Sequence, residues 1–159
     1  MPRVLFLCTG NTCRSPLAEV FAAENTSAPG VIFESAGLQV SGPCPASAGS
    51  LQVAAKLGLD LSGHHSRALT EGLLDDTAWV IGMTRSHVAI FRSRFGHRFN
   101  GKLGILGAPG VDLARVKSSP ECEEVDDPYN GPDDKYDAVG SQIRHLVRQW
   151  APVFAGFQS

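Results

Sequence analysis

Short unbroken apolar runs alternate along this chain with stretches of helical spacing. Val4-Leu5-Phe6-Leu7 is continuous and apolar, as a strand buried on both faces requires. After it Ser15 offers a helix N-cap and Pro16 a first-turn proline, and Leu17, Val20 and Phe21 follow at helical spacing. Val31-Ile32-Phe33, ending in Ser35-Ala36-Gly37, predicts a second strand, and residues 46–57 predict a helix that Gly58 closes. Residues 59–70, with Ser62, Gly63, His64 and His65, have no period and read as irregular. A third strand is expected over 79–83, a helix over 85–95 and a short fourth strand over 103–106. A long loop rich in glycine, proline and acids occupies 107–132, and a last helix over about 133–147 carries Tyr136, Val139, Ile143 and Leu146 on one side.

Strands alternating with helices imply right-handed crossovers. The expected fold is therefore α/β: a single domain over 1–159 with a four-stranded parallel sheet and helices on both faces, flavodoxin-like or Rossmann-like. Ligands of such sheets bind beyond the carboxyl ends of the strands, near the reversal of strand order. The loop after the first apolar run lies at such an end.

Composition narrows the function classes. With 159 residues, 43% of them hydrophobic, the chain suffices for one full core. A formal net charge of −2 gives no electrostatic footprint for nucleic acid. No apolar run approaches the roughly 18 residues that span a bilayer, and the N-terminus lacks a secretory pattern, so a cytoplasmic protein with no membrane partner is expected. The four cysteines, at 8, 13, 44 and 122, are expected as thiols in a reducing compartment, since a core of this size needs no disulfide framework. Cys44 and Cys122 have no assigned role; Trp79 and Trp150 are simplest as core or domain-edge residues.

The segment CTGNTCRS, residues 8–15, admits three chemistries. A zinc site would need a second cysteine pair or suitably spaced histidines, and neither is present. Buried small residues at a strand-to-helix joint would account for a cysteine, but not for Arg14 or for Gly10 and Asn11, types that tolerate positive φ. An anion cradle accounts for all of them. Thr9, Gly10, Asn11, Thr12, Cys13 and Ser15 would bring backbone N–H groups and a helix N-terminus around a phosphate, and Arg14 would supply a bidentate fork. The same donors stabilise a thiolate at Cys8, which can attack phosphorus in line and form a cysteinyl-phosphate for water to hydrolyse. That chemistry needs neither metal nor cofactor.

CTGNTCRSP resembles the C-x-G-N-x-C-R-S-P signature of the low-molecular-weight protein tyrosine phosphatases, and Asp127-Pro128-Tyr129 resembles that family's Asp-Pro-Tyr. Ser35-Ala36-Gly37 and His64 stand where the family has a serine segment and a histidine that buttress the loop. The likeness spans most of the chain and is weakest over 107–125. It implies the low-molecular-weight phosphatase fold, phosphorylated proteins as substrates, no cofactor, and a monomer or weak dimer. It also implies Cys8 as nucleophile, Arg14 as phosphate ligand, and Asp127 as general acid and later base. Cys13 would face the same pocket and could close a reversible disulfide on Cys8.

The residues themselves add less at these positions. Glu121, Glu123, Glu124 and Asp126 crowd around Asp127, and like charges favour a carboxyl that keeps its proton; the plain alternative is a solvated acidic loop. Tyr129 is either a wall of the cleft or an ordinary core or surface tyrosine. Asn11, in the left-handed conformation, would order the loop with Ser15, Ser35 and His64, unless His64 is only a surface histidine. Many phosphotyrosine-specific members carry an aliphatic residue where this chain has Thr12, and members resembling protein-arginine phosphatases carry threonine. Phosphoarginine is the favoured substrate, phosphotyrosine close behind. A thioredoxin-coupled arsenate reductase would share fold and loop but needs a cysteine relay, and residues 79–101 hold none. A non-catalytic phosphate-binding module would not require Cys8, Arg14 and Asp127 together.

Overall fold

In the computed structural model, which describes residues 2–25, 30–116 and 121–158, the first apolar run becomes strand β1 (Arg3–Cys8). It pairs in parallel with β2 (Ile32–Gly37) on one side and β3 (Thr77–Gly82) on the other, and β4 (Lys102–Ile105) lies beyond β3, giving the order β2-β1-β3-β4. Among the described residues five α-helices connect and cover the strands: α1 (Arg14–Asn25), α2 (Ala48–Lys56), α3 (Glu71–Leu74), α4 (Arg85–Phe95) and α5 (Asp133–Ala155).

The unbroken apolar character of β1 follows from its position. Successive side chains leave a strand on opposite faces, so Val4, Phe6 and Cys8 join the core formed with α1, α2 and α5, while Leu5 and Leu7 join a second core with Leu74 of α3 and Val88 and Phe91 of α4. Each large side chain so buried contributes about 1.5–3 kcal/mol. Trp79 and Trp150 both belong to the first core, edge to face at 4.9 Å between ring centres, and the Trp150 indole N–H donates to the Leu106 carbonyl at 2.9 Å.

The strands and α4 fall within two residues of the expected bounds, and the other helices depart from the expected pattern. Helix α1 begins at Arg14, so Ser15 lies inside its first turn and is not the N-cap; its hydroxyl is engaged by the loop described below. Helix α2 is capped by Ser47, whose side chain accepts the Ser50 N–H, and it ends before Gly58, which has the left-handed φ of 76° expected of a helix terminator. The one-turn helix α3 went unread because four residues carry no readable period. Helix α5 continues past 147 to Ala155 because Trp150 and Phe154 prolong its buried stripe. Pro152 within it forfeits one hydrogen bond near the end. Residues 117–120 of the long loop lie outside the described residues. No helix among the described residues is long and apolar enough to cross a membrane.

The chain leaves β1 toward α1 on one face and returns to β3 on the other side of β1, so the loop after β1 opens at the reversal of strand order. That is the crevice where α/β sheets bind ligands.

Candidate active site

The loop from Cys8 into α1 is held by its carbonyls. Those of Cys8 and Thr9 accept the Leu38 and Gln39 N–H groups at 3.0 and 2.9 Å. The Asn11 carbonyl accepts His64 Nε2–H at 2.7 Å, the Thr12 carbonyl accepts the Ser47 N–H at 2.9 Å, and the Cys13 carbonyl accepts the Ser50 hydroxyl at 3.1 Å. All peptides here are trans, so each N–H opposes the carbonyl of its own peptide plane. With these carbonyls tied to partners outside the loop, the N–H groups of Thr9, Gly10, Thr12, Cys13 and Arg14 point away from those partners, and all five residues line one cavity with Cys8. A Cβ at Gly37 would lie 2.7 Å from the Thr9 carbonyl oxygen and 3.1 Å from Asn11 Cβ, so only glycine lets β2 approach this closely.

Asn11 is fully buried at φ 57°, the left-handed conformation expected of it; Gly10 does not need a positive φ. Its amide is oriented by partners on both sides. Oδ1 accepts the Arg67 N–H at 3.0 Å, so Nδ2 donates to Ser15 Oγ at 2.8 Å. With one lone pair of Ser15 thus occupied, its own proton is free for Cys8 Sγ, 2.9 Å away. The chain Arg67–Asn11–Ser15 therefore ends at the sulfur, with the Ser15 hydroxyl placed to donate to a Cys8 thiolate or to accept from the thiol.

Arg14, the first residue of α1, is buried beneath the same space. Nη1 donates to the Val125 carbonyl at 2.9 Å, Nη2 lies 3.7 Å from Asp127 Oδ2, and Nε is buried without a partner among the described residues. An unpaired buried guanidinium N–H is costly unless a ligand takes it, and an oxyanion in the cradle would. Two structural contacts thus fix the fork while one donor stays available.

Asp127 and Tyr129 arrive from the long loop. Val125, fully buried, anchors that loop by donating its N–H to the Met83 carbonyl at 3.1 Å. Asp127 Oδ1 accepts the Tyr129 N–H at 3.0 Å, and its side chain is half exposed. Of the acids around it, Glu124 accepts the Arg85 N–H and Glu123 accepts from Gln142, and Asp127 itself stands 3.7 Å from the Arg14 guanidinium. Tyr129 is 63% exposed, a rim residue of a cavity of about 530 Å³ whose base is Cys8 and whose far side is formed by Val40, Pro45 and Ser47.

The loop passes so close to β4 that a Cβ on Gly107 would meet the Glu123 carbonyl oxygen at 1.9 Å. Gly107→Ala is therefore expected to displace residues 123–127, lowering stability by about 1–3 kcal/mol and turnover with it, as read by thermal melting and phosphate release. Unchanged melting and turnover would mean that the loop adjusts freely.

The other expected site residues are placed as follows. Thr9, Thr12 and Cys13 line the cavity. Cys13 is buried, its thiol donating to Ser47 Oγ at 3.3 Å and lying 3.6 Å from the Tyr136 hydroxyl; burial is the main cause that pushes that phenol up. His64 does hold the loop, through the Asn11 carbonyl. The Ser35 hydroxyl donates to Glu19 of α1 at 2.9 Å, and Ser35 meets the loop indirectly, through its carbonyl, which accepts Nε–H of Arg67, the residue whose N–H holds Asn11, at 3.1 Å. Burial pushes the Glu19 carboxyl up, against the hydrogen bond from the Ser35 hydroxyl. Cys8, Cys13, Cys44 and Cys122 are all free thiols. No group of three or more histidine, cysteine or acidic side chains among the described residues is placed to hold a metal ion. Arg67, Ser47, Ser50 and Val125, which tie the loop and Arg14, are not among the expected residues, and neither is His87. His87 of α4 lies with Nε2 3.0 Å from Thr9 Oγ1, and the Thr84-x-x-His87 spacing of a capping box was the only local sign of it.

Comparison with known proteins places this geometry. Residues 3–156 match the family model described as low molecular weight phosphotyrosine protein phosphatase. The protein-arginine-phosphatase of Geobacillus stearothermophilus is 31% identical over 153 residues, covering 94% of this chain and 93% of the relative. The low molecular weight protein-tyrosine-phosphatase Etp of Escherichia coli is 30% identical over 148 residues, covering 93% and 91%. Among solved structures, the YwlE arginine phosphatase from Geobacillus stearothermophilus superposes with a TM-score of 0.83 at 28% identity, covering 99% of this chain and 96% of that one.

Proposed function

The chain belongs to the low molecular weight phosphotyrosine protein phosphatase family, and from that premise we propose that the site around Cys8 hydrolyses phosphorylated arginine side chains of proteins through a cysteinyl-phosphate. The enzyme is a phosphatase; the residue roles and the substrate are what we infer. The Cys8 thiolate attacks phosphorus while the loop N–H groups and Arg14 hold the three equatorial oxygens. The P–N or P–O bond to the leaving group breaks as Asp127 delivers a proton to the departing atom. Water then attacks the phosphocysteine, giving its proton to Asp127 and releasing inorganic phosphate with the thiolate restored. The observation that carries this is the convergence on one cavity of Cys8, outward-tied loop carbonyls, an Arg14 Nε without a protein partner, and Asp127.

The lining of the cavity supports a guanidinium over a phenyl leaving group. Tyr129 is its sole aromatic residue among the described residues, and mostly exposed, so no second described ring would stack on a substrate ring. Thr12 also lines it, with only a weak 3.7 Å contact from its hydroxyl to Cys13 Sγ, and so keeps hydrogen-bonding capacity for a polar leaving group. Phosphotyrosine is the second candidate, favoured by the ring of Tyr129 at the rim. Side-by-side turnover of phosphoarginine and phosphotyrosine peptides is expected to favour phosphoarginine. Thr12→Ile is expected to cut phosphoarginine turnover about tenfold more than phosphotyrosine turnover, the scale of a lost polar contact plus added bulk. A wild-type preference for phosphotyrosine that the substitution leaves unchanged would reverse the assignment.

An arsenate reductase is not favoured: the family is one of phosphatases, and residues 79–101 supply no relay thiol. A thiolate nucleophile works only where cysteines stay reduced, which supports action in the cytoplasm.

A further inference from the structure

His87 is the third residue of α4, and its contact with a backbone N–H fixes the tautomer of its ring. Nδ1 lies 3.1 Å from the Thr84 backbone nitrogen, whose N–H can only donate, so Nδ1 holds a lone pair. In the neutral imidazole the proton then sits on Nε2, 3.0 Å from Thr9 Oγ1. That N–H donates to the Thr9 oxygen, and among the described residues no acceptor takes the hydroxyl proton of Thr9 in return. Thr9 follows Cys8 directly and lines the cavity, with its carbonyl tied back to Gln39.

The ring stays neutral at working pH. Burial, foremost, and the Arg14 charge push His87 down to about 4, with Asp127 pulling the other way. Its donor pattern is therefore constant, and its orientation is locked by the helix N-terminus that it caps.

We propose that His87 is a positioning residue that turns the Thr9 hydroxyl proton toward the cradle, making Thr9 a side-chain donor to the phosphoryl group above Cys8. A threonine free to rotate could present a lone pair to a phosphate oxygen, which repels it; with one of its two lone pairs engaged by Nε2–H, fewer orientations remain and the one that satisfies the phosphate points the proton at it. The inference rests on the phosphatase assignment of this site.

A double-mutant cycle separates this role from helix capping. Thr9→Val is expected to lower kcat/KM, and to weaken inhibition by inorganic phosphate, each about tenfold, the worth of one hydrogen bond to a charged group. His87→Ala is expected to cost the same in the wild-type background and nothing further in the Thr9→Val background. His87→Gln keeps the capping box and an amide donor, and is expected to retain most of the wild-type kcat/KM. Thr9→Val within twofold of wild type in both measurements would overturn the proposal whatever His87 variants do. Equal losses from His87→Ala in the two backgrounds would also overturn it, leaving only a cap. If His87→Ala does not fold, Thr9→Val and His87→Gln still decide. Failure of the phosphatase assignment reads differently: no Cys8-dependent phosphate release from the wild type.

Discussion

Cys8→Ser is expected to lower steady-state phosphate release at least about a thousandfold, the scale of losing a nucleophile. The loss follows from geometry already in place. In the proposed mechanism the Ser15 hydroxyl, set by Asn11 and Arg67 and 2.9 Å from the sulfur, and the loop N–H groups serve a sulfur nucleophile. They cannot make an alkoxide of an alcohol whose proton is far harder to remove. Phosphate release from phosphopeptides, with thermal melting to confirm a folded variant, measures the effect. Turnover within tenfold of wild type would remove Cys8 as the nucleophile.

Replacing Asp127 by asparagine is the second large effect. Asparagine keeps an oxygen for the Tyr129 N–H and nearly the same shape, so the loop should hold its position. What it lacks is a transferable proton. Cleavage of substrates with poor leaving groups is expected to fall about 10²–10⁴-fold, and cleavage of an activated aryl phosphate far less. The ratio between the two substrates is the measurement. Equal losses on both would place the proton donor elsewhere, with Asp126 next in line. Arg14 gives the assignment its spatial logic: one guanidinium touches the Val125 carbonyl, stands 3.7 Å from Asp127 and leaves Nε for the phosphate, so acid and substrate are aligned on the same rigid group.

How much of this was legible beforehand depended on whether the signal was local. The doubly buried strand and the loop after it are contiguous, and the CTGNTCRSP spacing carried both the cradle and its family likeness. The left-handed Asn11 follows from its residue type. Asp127 rested on three residues, and only the likeness raised it above a solvated acidic loop; the structure adds Val125 as the anchor that brings it over the site. His87 is 78 residues from Thr9 in sequence and joins it only because α4 follows the strand next to β1. Ser15 was misplaced as a helix cap because a serine before a proline satisfies the capping pattern just as well. Its hydroxyl instead serves Cys8, a demand set by tertiary structure. Ser35 was assigned to the loop by likeness alone, and its hydroxyl pairs with Glu19.

The way the loop is suspended bears on how such an enzyme can change. Its backbone hangs from Leu38, Gln39, Ser47, Ser50 and His64, none of them within the loop itself. Thr12 is held by its main-chain carbonyl while its side chain makes one weak contact. On the proposed role of Thr12, single substitutions at position 12 are expected to change what the cavity accepts without loosening the backbone that holds the loop. Lineages that differ in the phosphorylated residue they read could diverge there first, and a designer seeking a new preference has a natural place to begin.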